Sequence, residues 1–538
     1  MEHFLQTANG FLENILIVGL LGTGLWLTVR LGFIQFRRLG HGIDVVRGKY
    51  DDPNALGDVT HFQALTTALS ATVGIGNIAG VAIAIHWGGP GAVFWMWVTA
   101  LLGMATKFTE VTLAQKFRIN TPTGVAGGPM YYIENGLGKK WKPIAAFFAM
   151  SLIVMGMISG NAVQANTLAD LLETVFEIPG WLTGGISAAI VGLVIIGGIS
   201  RIGKVTSILA PSMAALYVLG GLMVLFFNAG EIWPSLKLIF TEAFNPTAGV
   251  AGTGAGIFMQ TLIWGVRRGL FSNEAGQGSA PIAHSAARTE EPVSEGVVAL
   301  LEPFIDTIVI CSITALVILT TGVWKQTTQT EIVLSSGDLA YRITTETGYE
   351  TVAVLPDFIE IKDGEQVSLT QLSWHEVPVE KLYADAGKQT FFSGKIFPNE
   401  NYALANQGER LEVLYADAVE NAAPLTMWAY REVLGQVGMF IVVLCVVLFA
   451  ISSAISWSYY GDRCTTYLFG GWAILPYRVI YVVMHFVGAI LSLNVVWDMG
   501  DLAMAMGTIP NVLALLLLSG VARELAKKYF AEKPYERR

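Results

Sequence analysis

The chain has 538 residues, of which 53% are hydrophobic and only 14% are charged, and its formal net charge is −9. A soluble domain averages about 25% charged residues, so this composition excludes an ordinary soluble globular protein. Apolar runs long enough to cross roughly 30 Å of hydrocarbon recur along the chain, which predicts an integral membrane protein whose surroundings are the lipid bilayer.

The apolar runs predict about eleven membrane-spanning helices and therefore an all-α membrane fold. We number them spans 1 to 11 and place them at residues 11–30, 60–86, 90–115, 143–170, 182–200, 204–227, 247–283, 294–323, 427–457, 471–492 and 496–522. The first run follows Met1–Gln6, which lacks Lys and Arg. We therefore interpret it as a retained helix rather than a secretory signal peptide.

The distribution of basic residues predicts the topology. Lys and Arg concentrate in the loops after spans 1, 3, 5 and 9 and in the C-terminal tail. If the helices alternate in direction, all of these segments lie on one side of the membrane, and the positive-inside rule makes that side cytoplasmic. We therefore expect the N-terminus outside and the C-terminus in the cytoplasm.

Two spans carry stretches that suit a continuous membrane helix poorly. Span 2 contains Ser70-Ala-Thr-Val-Gly-Ile-Gly-Asn77, and span 7 contains the more polar Arg268-Gly-Leu-Phe-Ser-Asn-Glu-Ala-Gly-Gln-Gly-Ser279. Irregular backbone at membrane depth is tolerated only where it faces protein or a wet cavity. Both spans are therefore predicted to be broken in the middle of the membrane. Taken alone, the glycines could be packing features, and Glu274 could be an ion partner of Arg267 or Arg268.

The two breaks occupy equivalent places in the chain. Span 2 opens one group of five spans, and span 7 opens a second group of five. Because five is odd, the two groups cross the membrane in opposite directions and form an inverted 5+5 repeat. Paired broken helices in inverted halves point to a transporter site at the midplane. Freed N–H groups favour a carboxylate and freed carbonyls favour a cation, so the pair suits a zwitterionic amino acid.

Residues 324–425, between spans 8 and 9, do not have the pattern of a membrane helix. Runs such as Thr351-Val-Ala-Val-Leu355 alternate like strands, and turn signals such as Lys362-Asp-Gly364 separate them. The segment holds seven Lys or Arg and sixteen Asp or Glu, a net charge of −9 that equals that of the whole chain. The topology predicts a small extracellular acidic β-rich insert. It is either a loop decoration or a lid, partner site or substrate funnel.

The expected division of the chain follows from these spans. It comprises an extra N-terminal helix with a cytoplasmic loop (1–59), the first five-helix repeat (60–227), the first two helices of the second repeat (245–323), the insert (324–425), the last three helices of that repeat (426–522) and a cytoplasmic tail (523–538).

Other polar residues within the spans are interpreted as parts of the scaffold. Lys107 and Glu110 lie three residues apart on one helix and are expected to pair. Glu302 and Asp306 either hold the scaffold or line a path. The sequence contains no recognisable catalytic triad, nucleotide-binding loop or metal cluster. We therefore predict no enzyme activity, no cofactor and no nucleic-acid partner.

The two polar stretches also carry a family resemblance. Thr72-Val-Gly-Ile-Gly-Asn-Ile-Ala-Gly-Val-Ala82, Gly88-Gly-Pro-Gly-Ala92 and Arg267-Arg-Gly-Leu-Phe-Ser-Asn-Glu-Ala-Gly-Gln-Gly-Ser-Ala-Pro281 resemble signatures of the alanine/glycine:cation symporter family. The resemblance runs through the spans, and the insert departs from it. It implies a leucine-transporter-type fold with one extra helix before a ten-helix core. It also implies symport of small neutral amino acids, mainly alanine and glycine, with sodium or protons.

The resemblance also implies a substrate site. Its residues would be Thr72, Gly74, Gly76 and Asn77 in span 2, Gln164 in span 4, and Phe271, Ser272, Asn273 and Glu274 in span 7. Gly74 and Gly76 would offer backbone N–H groups to the substrate carboxylate, and carbonyls freed in span 7 would meet its ammonium. The Gln164 amide would donate to the carboxylate, or else form an interhelical hydrogen bond.

The sodium site that the resemblance implies is built from hard oxygen ligands. The hydroxyls of Ser452 and Ser453 in span 9 and the carbonyls of Ser70 and Val73 in span 2 would form it. Serines in membrane helices also commonly bond the carbonyl of the preceding turn, which is the alternative for this pair.

We therefore expect a symporter of the bacterial or archaeal plasma (inner) membrane that couples sodium influx to uptake of a small neutral amino acid, alanine or glycine, with sodium as coupling ion. The alternatives are a carrier of the same fold for another amino acid such as glutamine, a proton-coupled carrier, and a transporter-like receptor that uses the insert.

Overall fold

The computed structural model describes residues 17–52, 54–121, 124–246, 257–335, 339–345, 348–351, 355–367, 370–374, 377–491 and 493–532. Residues 11–16 of span 1, residues 247–256 of span 7, residues 533–538 of the tail and several short stretches of the insert lie outside the described residues.

The described chain outside the insert is mostly helical, and each predicted span contains one or two helices. Spans 1 to 6 correspond to the helices Ile17–Arg30; His61–Thr72 with Gly76–Gly88; Ala92–Lys116; Lys142–Met157 with Val163–Phe176; Gly180–Ile195; and Gly198–Phe227. Spans 7 to 11 correspond to Ile257–Asn273 with Ala280–His284; Pro292–Thr321; Ala422–Phe469; Ile474–Ile490; and Leu493–Glu532.

By length and apolar composition, seven helices among the described residues are able to cross a membrane, and nine if each of two bent pairs counts as one span. The bent pairs are Ile17–Arg30 with Ile34–Val46, at 78°, and His61–Thr72 with Gly76–Gly88, at 56°. The chain is thus a multi-pass helical membrane protein. Eleven spans and the inverted repeat remain predictions.

Local sequence explains where the helices around span 2 begin and end. At the start of span 2, the Thr60 side chain and the Gln63 side chain cap each other's backbone N–H groups. Its second half ends at Gly88, where Gly89 has a φ of 71°, and Pro90 precedes the helix that begins at Ala92. The Gly88-Gly-Pro-Gly motif is therefore the turn between spans 2 and 3.

Several helical features differ from the sequence-based expectation. Among the described residues, three α-helices lie outside the predicted spans: Ile34–Val46, Pro129–Gly136 and Ala229–Glu242. Span 9 was expected at 427–457, whereas its helix runs from Ala422 to Phe469 with a non-helical break at Gly435. The arm before Gly435 packs on span 2, where Thr426 Oγ1 donates to the Ile78 carbonyl at 3.1 Å.

The insert consists of short antiparallel strands, as its alternating pattern predicted. We number all strands in chain order: β1 Ile119–Thr121 and β2 Gly124–Ala126 lie before span 4, and the insert holds β3 Thr327–Val333, β4 Leu339–Thr345, β5 Gly348–Thr351, β6 Ile359–Lys362, β7 Glu365–Gln366, β8 Thr370–Trp374, β9 Val377–Pro378, β10 Leu382–Tyr383, β11 Gly394–Phe397, β12 Tyr402–Ala405, β13 Arg410–Leu411 and β14 Val413–Val419. They form sheets ordered β10-β14-β3, β13-β12-β11-β6-β7 and β5-β4-β8-β9. Ile332, Leu372 and Phe392 lie in their shared core.

Candidate functional site

The break in span 2 opens backbone N–H groups toward span 4. The first helix ends at Thr72, and Val73 is extended with a ψ of 92°. The Gly74 N–H donates to Asn77 Oδ1 at 2.8 Å, and the Ile75 N–H donates to Gln164 Oε1 at 3.3 Å. Side-chain oxygens therefore satisfy donors that the helix leaves open.

The break in span 7 begins after Asn273. Glu274 adopts a left-handed conformation with a φ of 55°, and Gly276 and Gly278 have φ values of 91° and 81°. The Ala275 N–H donates to Asn273 Oδ1 at 3.0 Å. In a continuous helix that N–H would bond the carbonyl of Phe271. The break thus frees that carbonyl from its helical donor.

The two breaks lie against each other, and Asp306 of span 8 links them. Asn77 Nδ2 donates to Asp306 Oδ1 at 2.7 Å and to Ser272 Oγ at 3.0 Å. Ser272 Oγ in turn donates to Asp306 Oδ2 at 2.7 Å. All three side chains are buried. Asp306 therefore belongs to the scaffold that holds the breaks in register.

A small cavity lies between the breaks and spans 4, 9 and 11. Its lining residues are Ala71, Thr72, Gly74, Gly76, Ser159, Gln164, Phe271, Glu274, Gln277, Trp457 and Met504. Its volume is about 20 Å³, which is room for about one water molecule.

The structure brings six of the nine proposed substrate residues to this cavity, namely Thr72, Gly74, Gly76, Gln164, Phe271 and Glu274. The other three, Asn77, Ser272 and Asn273, do not line it. They bond the backbone and the Asp306 network behind it.

Glu274 presents its carboxylate to this cavity. Its oxygens accept hydrogen bonds from Ser279 Oγ at 2.5 Å and from Trp457 Nε1 at 3.2 Å. Arg267 and Arg268, the ion partners that the sequence allowed for it, both pair with Asp501 of span 11. A buried carboxylate at the cavity wall is suited to an ammonium group.

Sequence reasoning missed five cavity residues: Ala71, Ser159, Gln277, Trp457 and Met504. Ser159 lies in a π-helical turn, Ile158–Ala162, that precedes Gln164. Such turns occur frequently at functional sites. The available signal was the run of polar residues around Gly160, where a Cβ would lie 2.2 Å from the Trp457 ring.

The proposed sodium ligands form an oxygen cluster between spans 2 and 9. The hydroxyls of Ser452 and Ser453 lie 3.4 and 3.3 Å from the Ser70 carbonyl oxygen. Hard cations such as calcium hold oxygens at about 2.3–2.6 Å, so ligands at right angles stand roughly 3.3–3.7 Å apart. The spacing is compatible with such a cation, and it is also that of the hydrogen bonds that both hydroxyls donate to the Ser70 carbonyl. Ser452 Oγ also lies 3.2 Å from the Phe449 carbonyl of the preceding turn, as the alternative predicted. Val73 is the first extended residue of the break, so its carbonyl leaves the helical direction.

A buried chain of charged side chains connects spans 2, 3, 7 and 8. His61 contacts Glu295, and His284 lies 2.5 Å from the other Glu295 oxygen. His284 also lies 2.7 Å from Glu302, which Lys107 Nζ approaches to 3.1 Å. Lys107 thus pairs with Glu302 and not with Glu110 as expected. Buried ionisable side chains require such partners, so we interpret this series of contacts as structural support that links the four spans.

The model of the sodium:alanine symporter family matches residues 1–356 and 410–538, and the gap lies inside the insert. The chain is 38% identical to the sodium/alanine symporter AgcS of Methanococcus maripaludis over 531 residues, covering 97% of this chain and 96% of that protein.

The names of two relatives from Bacillus subtilis include another coupling ion or another amino acid. The chain is 31% identical to the putative sodium/proton-dependent alanine carrier protein YrbD over 539 residues, covering 99% of this chain and 93% of that protein. It is 38% identical to the probable sodium/glutamine symporter GlnT over 344 residues, covering 64% of this chain and 70% of that protein.

Proposed function

The chain belongs to the sodium:alanine symporter family, and from that premise we propose that it couples sodium influx to the uptake of alanine or glycine. Sodium-coupled amino-acid symport follows from the family and its named relatives. The choice of a small substrate rests on one observation, the close packing around Gly74 and Gly76, where an added Cβ would meet Ser453 or Phe271. The cavity between the breaks has room for about one water molecule, so it would widen to admit any amino acid.

The walls of this cavity support a zwitterionic ligand. The N–H groups of Gly74 and Ile75, in place of Gly74 and Gly76 as the resemblance implied, would receive the substrate carboxylate after exchange with the oxygens of Asn77 and Gln164, which hold them now. The Phe271 carbonyl and the Glu274 carboxylate would receive the ammonium group. Opposite charges on one small molecule thus meet opposite ends of the site.

Side-chain size would set the selectivity. A Cβ on Gly76 would lie 3.0 Å from Phe271 Cδ1, and one on Gly74 would lie 2.5 Å from Ser453 Oγ. These contacts leave little room for a long substrate side chain. A single methylene is worth only about 1–3 kcal/mol, so alanine and glycine would both be accepted.

Sodium would couple to the substrate through span 2. The Ser70 carbonyl of the oxygen cluster lies on the helix that ends at the break, and Gly74 lies beside both Ser453 and the cavity. A cation bound there would hold span 9 against the break and so favour the state that binds substrate. Alternating access would then follow from the relative motion of the helix groups.

Glutamine is the second candidate substrate, because the relative GlnT is named a probable sodium/glutamine symporter. The close contacts at Gly74 and Gly76 favour alanine over this longer amino acid. A transport assay distinguishes them: purified protein in proteoliposomes, labelled alanine outside, and an imposed sodium or proton gradient. We expect sodium-driven alanine uptake that unlabelled glycine competes with and glutamine does not. Uptake driven by protons alone, or competed by glutamine rather than glycine, would contradict the proposal.

Replacing the two proposed sodium hydroxyls tests the coupling ion. We expect Ser452→Ala with Ser453→Ala to raise the sodium concentration for half-maximal uptake about tenfold or more, since lost charge-assisted contacts cost about 1.5–3 kcal/mol each. Ser458→Ala in the same helix is the control, because its hydroxyl bonds the Ile455 carbonyl of its own helix at 2.7 Å. An unchanged sodium dependence in the double variant would place the ion elsewhere.

A further inference from the structure

A second cavity, lined by basic side chains, lies away from the candidate site. It is formed where span 1 meets the helix Ile34–Val46 and the last turns of span 11, and its volume is about 440 Å³. Three helices contribute five cationic side chains to it: Arg30, Arg37, Arg38, Arg523 and Lys527.

No acidic side chain among the described residues neutralises these cations. Among the described residues that line the cavity there is no carboxylate, and no described acid forms a salt bridge with any of the five cations. Arg30 Nε is buried and has no hydrogen-bond partner in the described part of the chain. Arg37 donates to the neutral Gly32 carbonyl at 3.2 Å, and Arg38 lies 4.0 Å over the Phe530 ring. Five like charges repel one another, so the cavity favours an anion.

A third cavity, on another face of the span 11 helix, has a different charge pattern. Its volume is about 460 Å³, and it combines Lys116, Arg118 and Lys528 with Glu290, Glu291 and Glu532. Its cations and carboxylates are balanced, so it does not select for an anion. Of these two cavities, only the basic cavity therefore has an excess of positive charge.

The surroundings of the basic cavity are apolar and face outward. Trp26, Val29, Phe33 and Phe36 are 48%, 58%, 50% and 64% exposed, and they lie on the two helices that bear Arg30, Arg37 and Arg38 or on the turn between them. In a membrane protein such side chains contact lipid. The Arg30 guanidinium lies 5.3 Å from the Trp26 ring centroid. This mixture of aromatic and basic residues is typical of the boundary between hydrocarbon and headgroups.

We propose that the basic cavity binds the phosphodiester headgroup of an anionic phospholipid, whose acyl chains lie along Trp26, Val29, Phe33 and Phe36. Guanidinium groups bind phosphate oxygens with two parallel hydrogen bonds, which three arginines from two helices are able to provide. Basic pockets between transmembrane helices bind acidic headgroups on the side that the positive-inside rule assigns to the cytoplasm. The lipid would tie the extra N-terminal helix to span 11.

Lipid binding to the purified full-length protein tests this proposal. Phosphatidylglycerol is titrated in detergent, and bound lipids are counted by native mass spectrometry. Two double variants remove charge from different helices: Arg37→Gln with Arg38→Gln, and Arg523→Gln with Lys527→Gln. We expect each to weaken phosphatidylglycerol binding more than about tenfold, since one cation near a membrane surface is worth about fivefold in affinity. The control is Lys528→Gln, which lies next to Lys527 but lines the other cavity.

Three outcomes of this experiment would overturn the proposal. The elution profile in size-exclusion chromatography shows which variants are folded. Because the two double variants remove charge from different helices, one folded double variant is enough to test the site. Unchanged phosphatidylglycerol binding in a folded double variant overturns the site. Equal binding of phosphatidylcholine overturns the requirement for an acidic headgroup. Equal binding of inorganic phosphate at the same concentration overturns the lipid and indicates a soluble anion.

Discussion

At the scale of single residues, the candidate site depends on glycines that no larger residue replaces without displacing a neighbour. Gly74 lies beside Ser453 and Gln164, and Gly76 lies beside Phe271. Each glycine therefore lets one broken helix approach another segment of the site closely. Family resemblance was able to mark these positions, but the residues they touch lie far away in the sequence.

We expect Gly76→Leu to remove measurable alanine binding, because the new side chain would fill the cavity and meet the Phe271 ring. Overpacking of a close-packed site costs about 1–3 kcal/mol before any direct competition with substrate. Binding of labelled alanine to the purified variant measures the effect. Gly185→Leu is the matched control, since a Cβ there meets nothing within 4 Å. Alanine affinity like that of the parent protein would remove Gly76 from the site.

The residues proposed for the substrate site divide into those that line the cavity and those that bond distant partners. Asn77 and Ser272 were expected to bind substrate, but they bond Asp306, which lies 229 positions after Asn77 and 34 after Ser272. Nothing in the local sequence indicates which polar group at a break faces a cavity and which faces a scaffold partner. Only the packing of spans 2, 7 and 8 determines that.

At the scale of elements, buried charges connect helices that the sequence pattern treats separately. Lys107 and Glu110 suit an i,i+3 pair, yet Glu110 Oε1 accepts from the Gly278 N–H at 3.0 Å and from Asn511 Nδ2 at 2.5 Å. Span 3 is thereby tied to the break of span 7 and to span 11. Lys107 is left to pair with Glu302 of span 8. Contacts between helices thus override the local pairing rule.

We expect Lys107→Met to destabilise the protein by about 3–5 kcal/mol, because it leaves Glu302 buried without one of its partners. Thermal unfolding of the purified protein in detergent measures the loss. Lys116→Met, at the exposed end of the same helix, serves as the control and should melt like the parent protein. Equal melting of the two variants would show that the Lys107–Glu302 pair does not hold spans 3 and 8 together.

At the scale of the whole molecule, the insert is a separate strand-rich unit on a helical membrane protein. Its first and last strands, β3 and β14, are antiparallel neighbours, and Thr327 pairs directly with Val419. The chain therefore leaves and rejoins the helical part at adjacent points. A short linker is able to replace the insert without moving the helices it connects, including the arm that carries Thr426.

We expect replacement of residues 328–418 by a short Gly-Ser linker to preserve alanine uptake, because the cut joins paired neighbours and leaves the broken helices untouched. Initial uptake rates in proteoliposomes, per folded protein, measure this. A full-length protein reconstituted in parallel is the reference. A folded deletion variant that binds alanine but no longer transports it would instead favour a lid, funnel or receptor role for the insert.

The sequence by itself determined the membrane class, the approximate places of the predicted spans, the two breaks, the strand-rich insert and the family, because each follows from local composition or from a contiguous motif. It did not indicate the helices Ile34–Val46 and Ala229–Glu242. Family comparison confirms the resemblance. The tertiary structure decided which residues line the cavity, that Asp306 joins the breaks, that Lys107 pairs with Glu302, and that five cations from three helices share one cavity. Those facts depend on side chains from distant segments meeting in space, which no local pattern encodes.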